Sequence, residues 1–410
     1  MFSAHWQPTK RLYYPLVLIA VLWIAWIGNV VQTLTIGGPF HFGKFPGTDF
    51  VVYYSAGESI RVGEGERLYD ADFQDGLHEE VVGKEFEGQF LYHRPPLYAL
   101  VFIPFSLLPF TASYLVWCAL GLVSLWASVR LLGVHHPRTV FLWSFAWPPI
   151  FFAFSFGQTI LVNLILLSAV FWLWKRRHLW AAGLSLSLLM DKPHLVMGVV
   201  LLFLLNWRRD WRVLSAFALG CLALAGLSVL LFPQASASYL DVILNRAMDS
   251  VHSSESNWAK MHSVVFFFQM LWPGQHAFAQ LLAVTVAAIA LAGFVSFWMK
   301  NRTCPELSFA AAVVLSFLVT PYALLYDWAL LLIPAILLAR HLPEHDDHWK
   351  LAYSVLGTAA YLGKPLMEIQ LEHLPFAFDP MVPALLGVSL YLFARLSATD
   401  PRNKRAGGGS

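Results

Sequence analysis

Long hydrophobic runs recur along almost the whole chain, separated by short basic or polar turns. A helix needs about 20 apolar residues to cross a bilayer. Candidate spans fall at 12–34, 110–130, 139–156, 158–174, 179–191, 194–207, 213–232, 275–299, 306–320, 323–340, 350–363 and 381–396, several of them short. The pattern predicts an all-α polytopic membrane protein with about 12 transmembrane helices. The first run exceeds a signal-peptide core and lacks a small-residue cleavage site, so it reads as a retained span.

Lys and Arg accumulate in cytoplasmic loops. "TKR" at 9, "KRRH" at 175, "NWRRDWR" at 206, "MKNR" at 299 and "PRNKR" at 401 therefore belong inside, and the proposed crossings satisfy all of them. They do so only if "LYALVFIPFSLLPF", 97–110, enters the membrane without crossing it. That segment is short and proline-broken, and reads as a half-inserted or interfacial helix. If it crosses, a crossing is lost elsewhere, first at "WPPIFFAF". The polar stretch 35–94 then lies outside as a large loop with interfacial helices. It holds 11 of the chain's 25 acidic residues against 5 basic ones, mostly a solvated face. A second external loop covers 233–262. Residues 1–400 read as one integral membrane domain, and 401–410 as a cytoplasmic tail whose final "GGGS" is a linker.

Composition sharpens the class. Of 410 residues, 58% are hydrophobic and 13% charged, where soluble domains carry about 25% charged residues. A net charge of +2 provides no basic stripe for nucleic acid. Cys118, Cys221 and Cys304 lie far apart without CxxC spacing, against a disulfide framework or a zinc site. The sequence has no Walker motif, phosphate-cradling glycine loop or GxSxG elbow, so cytosolic nucleotide chemistry has no support.

Polar groups collect at the predicted outer ends of the spans, where ionisable side chains usually face a cavity or a partner. Asp49, just after Gly47, either caps the next helix or serves a site. His93 and Arg94 in "YHRPPLY" stand where the loop re-enters lipid; Arg94 either snorkels or grips a phosphate bidentately. In "LLMDKPHLV", Asp191, Lys192 and His194 surround Pro193. An Asp191–Lys192 pair would neutralise itself, but three ionisable groups around a proline favour a pocket. Lys260 and His262 in "NWAKMHS" meet lipid headgroups or an anionic phosphate. His93, Gln158, Tyr322, Asp327 and Lys364 complete the external set, either contacting the acceptor or supporting the side chains that do; an Asp327–Lys364 pair serving packing alone is the alternative. His341, His345 and His348 look like a metal tract but fall on the cytoplasmic side, where a solvated loop is the better reading.

Five strings, "TDFVVYYSAGESIRVGEGERLYD", "YHRPPLYALVFIPFSLLP", "GQTILVNLILL", "AGLSLSLLMDKPH" and "TPYALLYDWALLLIP", together and in this order resemble the bacterial polyprenyl-phosphate-mannose-dependent mannosyltransferases. These are glycosyltransferase family 87, of the GT-C fold. The resemblance runs from the first span to about residue 340. It implies a polyprenyl-phosphate-linked sugar donor, mannose as the sugar, and a glycolipid or glycan acceptor. It also implies a site on the external face of the bacterial inner membrane, and inverting transfer with Asp49 as general base. The lysine of the family's "KP" pattern falls on Lys192. Where the family often has "NQS", this chain reads "KMHS", with Ser263 as the equivalent.

An anionic polyprenyl phosphate leaving group calls for cations, and Lys192, His194, Arg94, His262 and Lys260 are the candidates. With cations at the phosphate, no cofactor and no metal are expected. One carboxylate suffices for a single displacement, whereas double displacement would favour a second as nucleophile. A transporter or flippase of lipid-linked sugars is the alternative, though the sequence lacks the internal repeat common in transporters. A noncatalytic envelope scaffold is a third reading.

Overall fold

The computed structural model describes residues 13–36, 47–82, 91–243, 260–341 and 348–398. The expectations for 37–46, 83–90, 244–259, His345 and the tail lie outside these residues. The described chain is helical, with one isolated antiparallel bridge between Met261 and Leu324.

Helix α1 is Tyr13–Ile36. Two short helices follow in the polar stretch, α2 (Phe50–Arg61) and α3 (Ala71–Val82). The segment 97–110 becomes seven residues of 3-10 helix, Pro96–Phe102, then four of α-helix, Ile103–Ser106. At about 2.0 and 1.5 Å rise per residue it is too short to cross about 30 Å of hydrocarbon. It packs instead on α2, so closely that a Cβ on Gly57 would stand 2.5 Å from the Phe102 carbonyl. Tyr53 and Phe102 stack at 5.0 Å across the same contact.

The bundle continues with α4 (Phe110–Leu131), α5 (Pro137–Ser144), α6 (Pro148–Phe156), α7 (Ile160–Lys175) and α8 (Leu179–Ser187). Next come α9 (Met197–Leu205), α10 (Trp207–Leu231) and α11 (Pro233–Asp241). The last six are α12 (Val264–Leu271), α13 (His276–Asn301), α14 (Pro305–Val319), α15 (Leu332–Ala339), α16 (His348–His373) and α17 (Met381–Ala398). Proline at the first turn starts α5, α6, α11 and α14, where its missing N–H has no bond to lose.

Among the described residues, α4, α10 and α13 are long and apolar enough to cross a membrane. The pair α5–α6, bent by 68°, is a fourth candidate. Of the other expected spans, 350–363 lies within the 26-residue α16, which is not apolar enough to count as a span. Most of the rest are shorter apolar helices, among them Ile160–Lys175, Leu179–Asp191, Pro193–Leu205, Pro305–Val319 and Leu325–Ala339. Each of these is roughly 20–26 Å long, less than a full hydrocarbon core. One end of each carries a basic residue or turn, from Lys175 to Arg177, Arg208, Arg302 or Arg340. The other end carries the polar strings "GQT", "DKPH" and "TPYALLYD". Measured from its basic end, each such helix stops short of the length of a full span.

Candidate active site

Asp49 is positioned from below. Gly47 N–H donates to Ser155 O at 2.8 Å, and Asp49 N–H to Phe156 O at 3.0 Å, which pins the entry to α2 onto the end of α6. Helix α6 stops at Gly157, whose φ of 70° suits glycine alone at low strain. A Cβ there would also lie 2.6 Å from that of Phe50. The next residue, Gln158, is thereby turned toward Asp49. Its Nε2 donates to Asp49 Oδ2 at 2.6 Å and lies 3.0 Å from the Tyr326 hydroxyl, while its Oε1 accepts from Tyr53 Oη at 2.8 Å. Asp49 makes no side-chain cap on α2, so the capping alternative is not what its carboxylate does.

Two arms extend from Gln158. Along the first, Arg94 Nη2 reaches the Tyr53 hydroxyl at 3.4 Å and Nη1 donates to the Asp191 backbone oxygen at 2.9 Å. Arg94 is half-buried, and no carboxylate of the described residues lies within ion-pair distance of it. Tyr69 Oη donates to the Arg94 carbonyl, and Gln74 Oε1 accepts from Tyr92 N–H at 2.7 Å, so the segment around α3 holds this turn. Along the second arm, Tyr326 lies beneath Lys192, whose Nζ is 4.7 Å from the ring centroid.

The "DKPH" turn is where α8 ends in a short 3-10 segment and Pro193 starts another, Pro193–Val196. Asp191 does not neutralise Lys192. Its carboxylate accepts from Asn163 Nδ2 at 3.1 and 3.2 Å and from Thr159 Oγ1 at 3.3 Å, both one turn apart on the start of α7. Lys192 instead pairs with Asp327, and both are almost fully buried. Asp327 Oδ2 accepts from Leu324 N–H at 2.9 Å, which shapes the turn before α15. The Asp327–Lys364 alternative is corrected by the same contacts, since Lys364 lies 3.0 Å from Glu368 on the half-exposed face of α16.

The histidines form the remaining wall. The His194 ring packs tilted against Tyr322, with ring centroids 4.1 Å apart, and its buried Nε2 has no hydrogen-bond partner among the described residues. His262 N–H donates to Ala323 O at 2.7 Å, and Ser263 Oγ donates to Pro321 O at 2.8 Å, so "KMHS" docks along the turn carrying Tyr322. His262 Nδ1 sits 3.2 Å from Asp379 Oδ2, and its buried Nε2 likewise has no hydrogen-bond partner among the described residues. Lys260 precedes the isolated bridge at Met261 and is half-buried, whereas His93 is exposed.

Asp49, Gln158, Arg94, Lys192, His194, His262, Tyr322 and Asp327 thus come together, and Lys364 stands on the rim in its own surface pair. Tyr53, Tyr326, Asn163, Thr159 and Asp379 were not singled out by the sequence. Tyr53 is one helical turn from Asp49, and Tyr326 adjoins Asp327 inside a string already quoted. Nothing in "AFDPM" marks Asp379 as the partner of a histidine 117 residues away.

Residues 90–321 match glycosyltransferase family 87. The chain belongs to this family. It is therefore a transferase, and its long apolar helices make it a membrane glycosyltransferase. The transporter and scaffold readings give way to the enzyme. Among solved structures, ArnT from Cupriavidus metallidurans in the apo state is similar with a TM-score of 0.37 and 14% identity, over 95% of this chain and 78% of that one. A likeness at that level carries no argument. No curated protein matches the chain.

Proposed function

We propose that the enzyme transfers a sugar, mannose by its resemblance, from a polyprenyl-phosphate donor to a hydroxyl of a glycolipid or glycan. The observation that carries this is the single continuous polar network from Asp49 through Gln158 to Arg94 on one side and Lys192 on the other. It offers a carboxylate and cations within one recessed cluster, the two things that displacement at an anomeric carbon needs.

In the proposed reaction the acceptor oxygen attacks the anomeric carbon on the face opposite the phosphate. The C–O bond to phosphate breaks, its electron pair leaves with polyprenyl phosphate, and the acceptor proton passes to Asp49. The anomeric configuration inverts. The donor phosphate is a monoanion and the leaving phosphate gains a second negative charge. Cations aimed at it therefore stabilise the transition state more than the ground state.

The cations are unequal. Lys192 already faces Asp327, so part of its charge is answered. Arg94 has no carboxylate partner among the described residues, and its planar fork suits two phosphate oxygens. Arg94 is the principal phosphate ligand in this reading, with Lys192, His194, His262 and Lys260 around it. The buried Nε2 of His194 is suited to donate to the same anion in its Nε2–H tautomer. Tips of short helices, recessed below an outer membrane surface, would meet the head of a lipid-linked donor while its isoprenoid tail stays in hydrocarbon. The site then faces the periplasm, within a GT-C arrangement.

Incubating the purified enzyme in lipid with radiolabelled polyprenyl-phosphate mannose and an envelope lipid extract tests the reaction. Labelled glycolipid of inverted anomeric configuration is expected. Labelled donor recovered without a new glycosidic bond, or a product with retained configuration, contradicts it.

A further inference from the structure

We infer that Cys304, Glu306 and His341 form a binding site for a zinc-class divalent cation at the end of the α14–α15 hairpin opposite Asp49. Cys304 Sγ lies 3.8 Å from Glu306 Oε2 and 3.7 Å from His341 Nε2. One ligand atom of each residue falls within 4.8 Å of the other two. These separations are long for good hydrogen bonds. They are close to the edge of a tetrahedron around zinc, roughly 3.5 Å for Zn–S of about 2.3 Å and Zn–N or Zn–O of about 2.0 Å.

The donor set is thiolate, imidazole and carboxylate, a mixture that suits zinc and its neighbours rather than magnesium or calcium. The ligands are carried by ordered turns. Cys304 N–H donates to Asn301 O at 2.9 Å and Ser308 N–H to Cys304 O at 3.1 Å, so Cys304 begins α14 with Glu306 in its first turn. His341 N–H donates to Leu338 O at 2.9 Å just past α15. Lys175, from the end of α7, grips the other carboxylate oxygen, Oε1, and leaves Oε2 turned to the thiol. Such an outer partner orients a ligand and tunes its affinity. Water would complete four-coordination.

Helices α14 and α15 pack together, and the turn at their far end carries Tyr322, Tyr326 and Asp327. A cation at the base would clip the hairpin that presents those residues, over a helix length of about 22 Å. Its role is structural, and it takes no part in transfer. The histidine tract acquires a different meaning here: His341 has partners that are 35 or more residues away in sequence.

The test uses the purified full-length enzyme, stripped of metal and titrated with zinc against a chromophoric chelator, then with cobalt as a spectroscopic probe. Expected are one zinc per chain, a thiolate-to-cobalt charge-transfer band, and a higher melting temperature with zinc. Cys304→Ser should lose the band and the thermal shift. His341→Gln should keep the band while affinity falls on the order of tenfold or more. Zinc affinity equal in wild type and Cys304→Ser, a cobalt spectrum without the thiolate band, or no retained metal would each overturn the site.

Discussion

Gln158 Nε2 holds the Asp49 carboxylate at 2.6 Å across 109 residues of sequence. The same amide joins Tyr53 and Tyr326, so one side chain sets the geometry of the acid relative to both cationic arms. Its own position follows from Gly157, the left-handed stop of α6.

Gln158→Leu removes these bonds without changing charge. It leaves Asp49 and two phenols to rearrange, so kcat should fall on the order of 10²-fold while donor affinity stays near wild type. Single-turnover transfer alongside donor binding checks this. An unchanged kcat would mean that the amide does not position the acid.

Arg94→Lys keeps a charge but loses the fork that spans Tyr53 and the Asp191 carbonyl. A charge-assisted hydrogen bond is worth about 1.5–3 kcal/mol, so donor affinity should weaken roughly 10- to 100-fold. Equilibrium binding of polyprenyl-phosphate sugar measures it. Full rescue by lysine would replace the bidentate grip with simple charge attraction.

Lys192 and Asp327 form a buried pair, and removing one partner destabilises a fold by about 3–5 kcal/mol. Lys192→Met alone should therefore lower the melting temperature sharply. Lys192→Met with Asp327→Asn should recover much of that stability, since the amide oxygen still accepts from Leu324 N–H. Donor binding should remain weak in the double variant. Recovery of both stability and binding would make Lys192 a packing element only.

His78, on α3 in the polar stretch, is fully buried, and desolvation lowers its pKa from 6.5 to about 4. The unfolded chain takes up a proton below about pH 6.5 that the folded chain refuses until about pH 4. Stability from this group is present above pH 6.5 and is lost as pH falls through that window, by up to about 3 kcal/mol. Thermal melts of wild type and His78→Gln between those pH values test it. The variant should show a shallower decline, and parallel declines would remove the effect.

The sequence carried the site better than the fold. Ionisable residues within apolar runs are conspicuous, because lipid gives them no solvation, and Lys192 and Asp327 stood out for that reason, whereas Asp49 stood out through the family resemblance and Arg94 through its place where the polar loop re-enters apolar sequence. Their pairing was less legible. Adjacency left self-neutralisation of Asp191 and Lys192 open as the alternative to a pocket, and a 3-10 turn and Pro193 send the two side chains to different partners, Asn163 and Thr159 for one and Asp327 for the other. Lys364 also stood out, but it pairs one turn along its own helix rather than with Asp327. Apolar periodicity found the helices but not their breaks. The 68° bend between α5 and α6, where Trp147 and Pro148 interrupt a single hydrophobic run, has the same hydropathy as a straight span. Tyr53 and Tyr326 were hidden because tyrosines at membrane level usually mark interfaces.

Substituting the carboxylate with its isosteric amide asks the central question. In Asp49→Asn, single-turnover transfer should fall by about 10³-fold, while the donor still binds with close to wild-type affinity. Near-wild-type turnover in the purified variant would contradict the account.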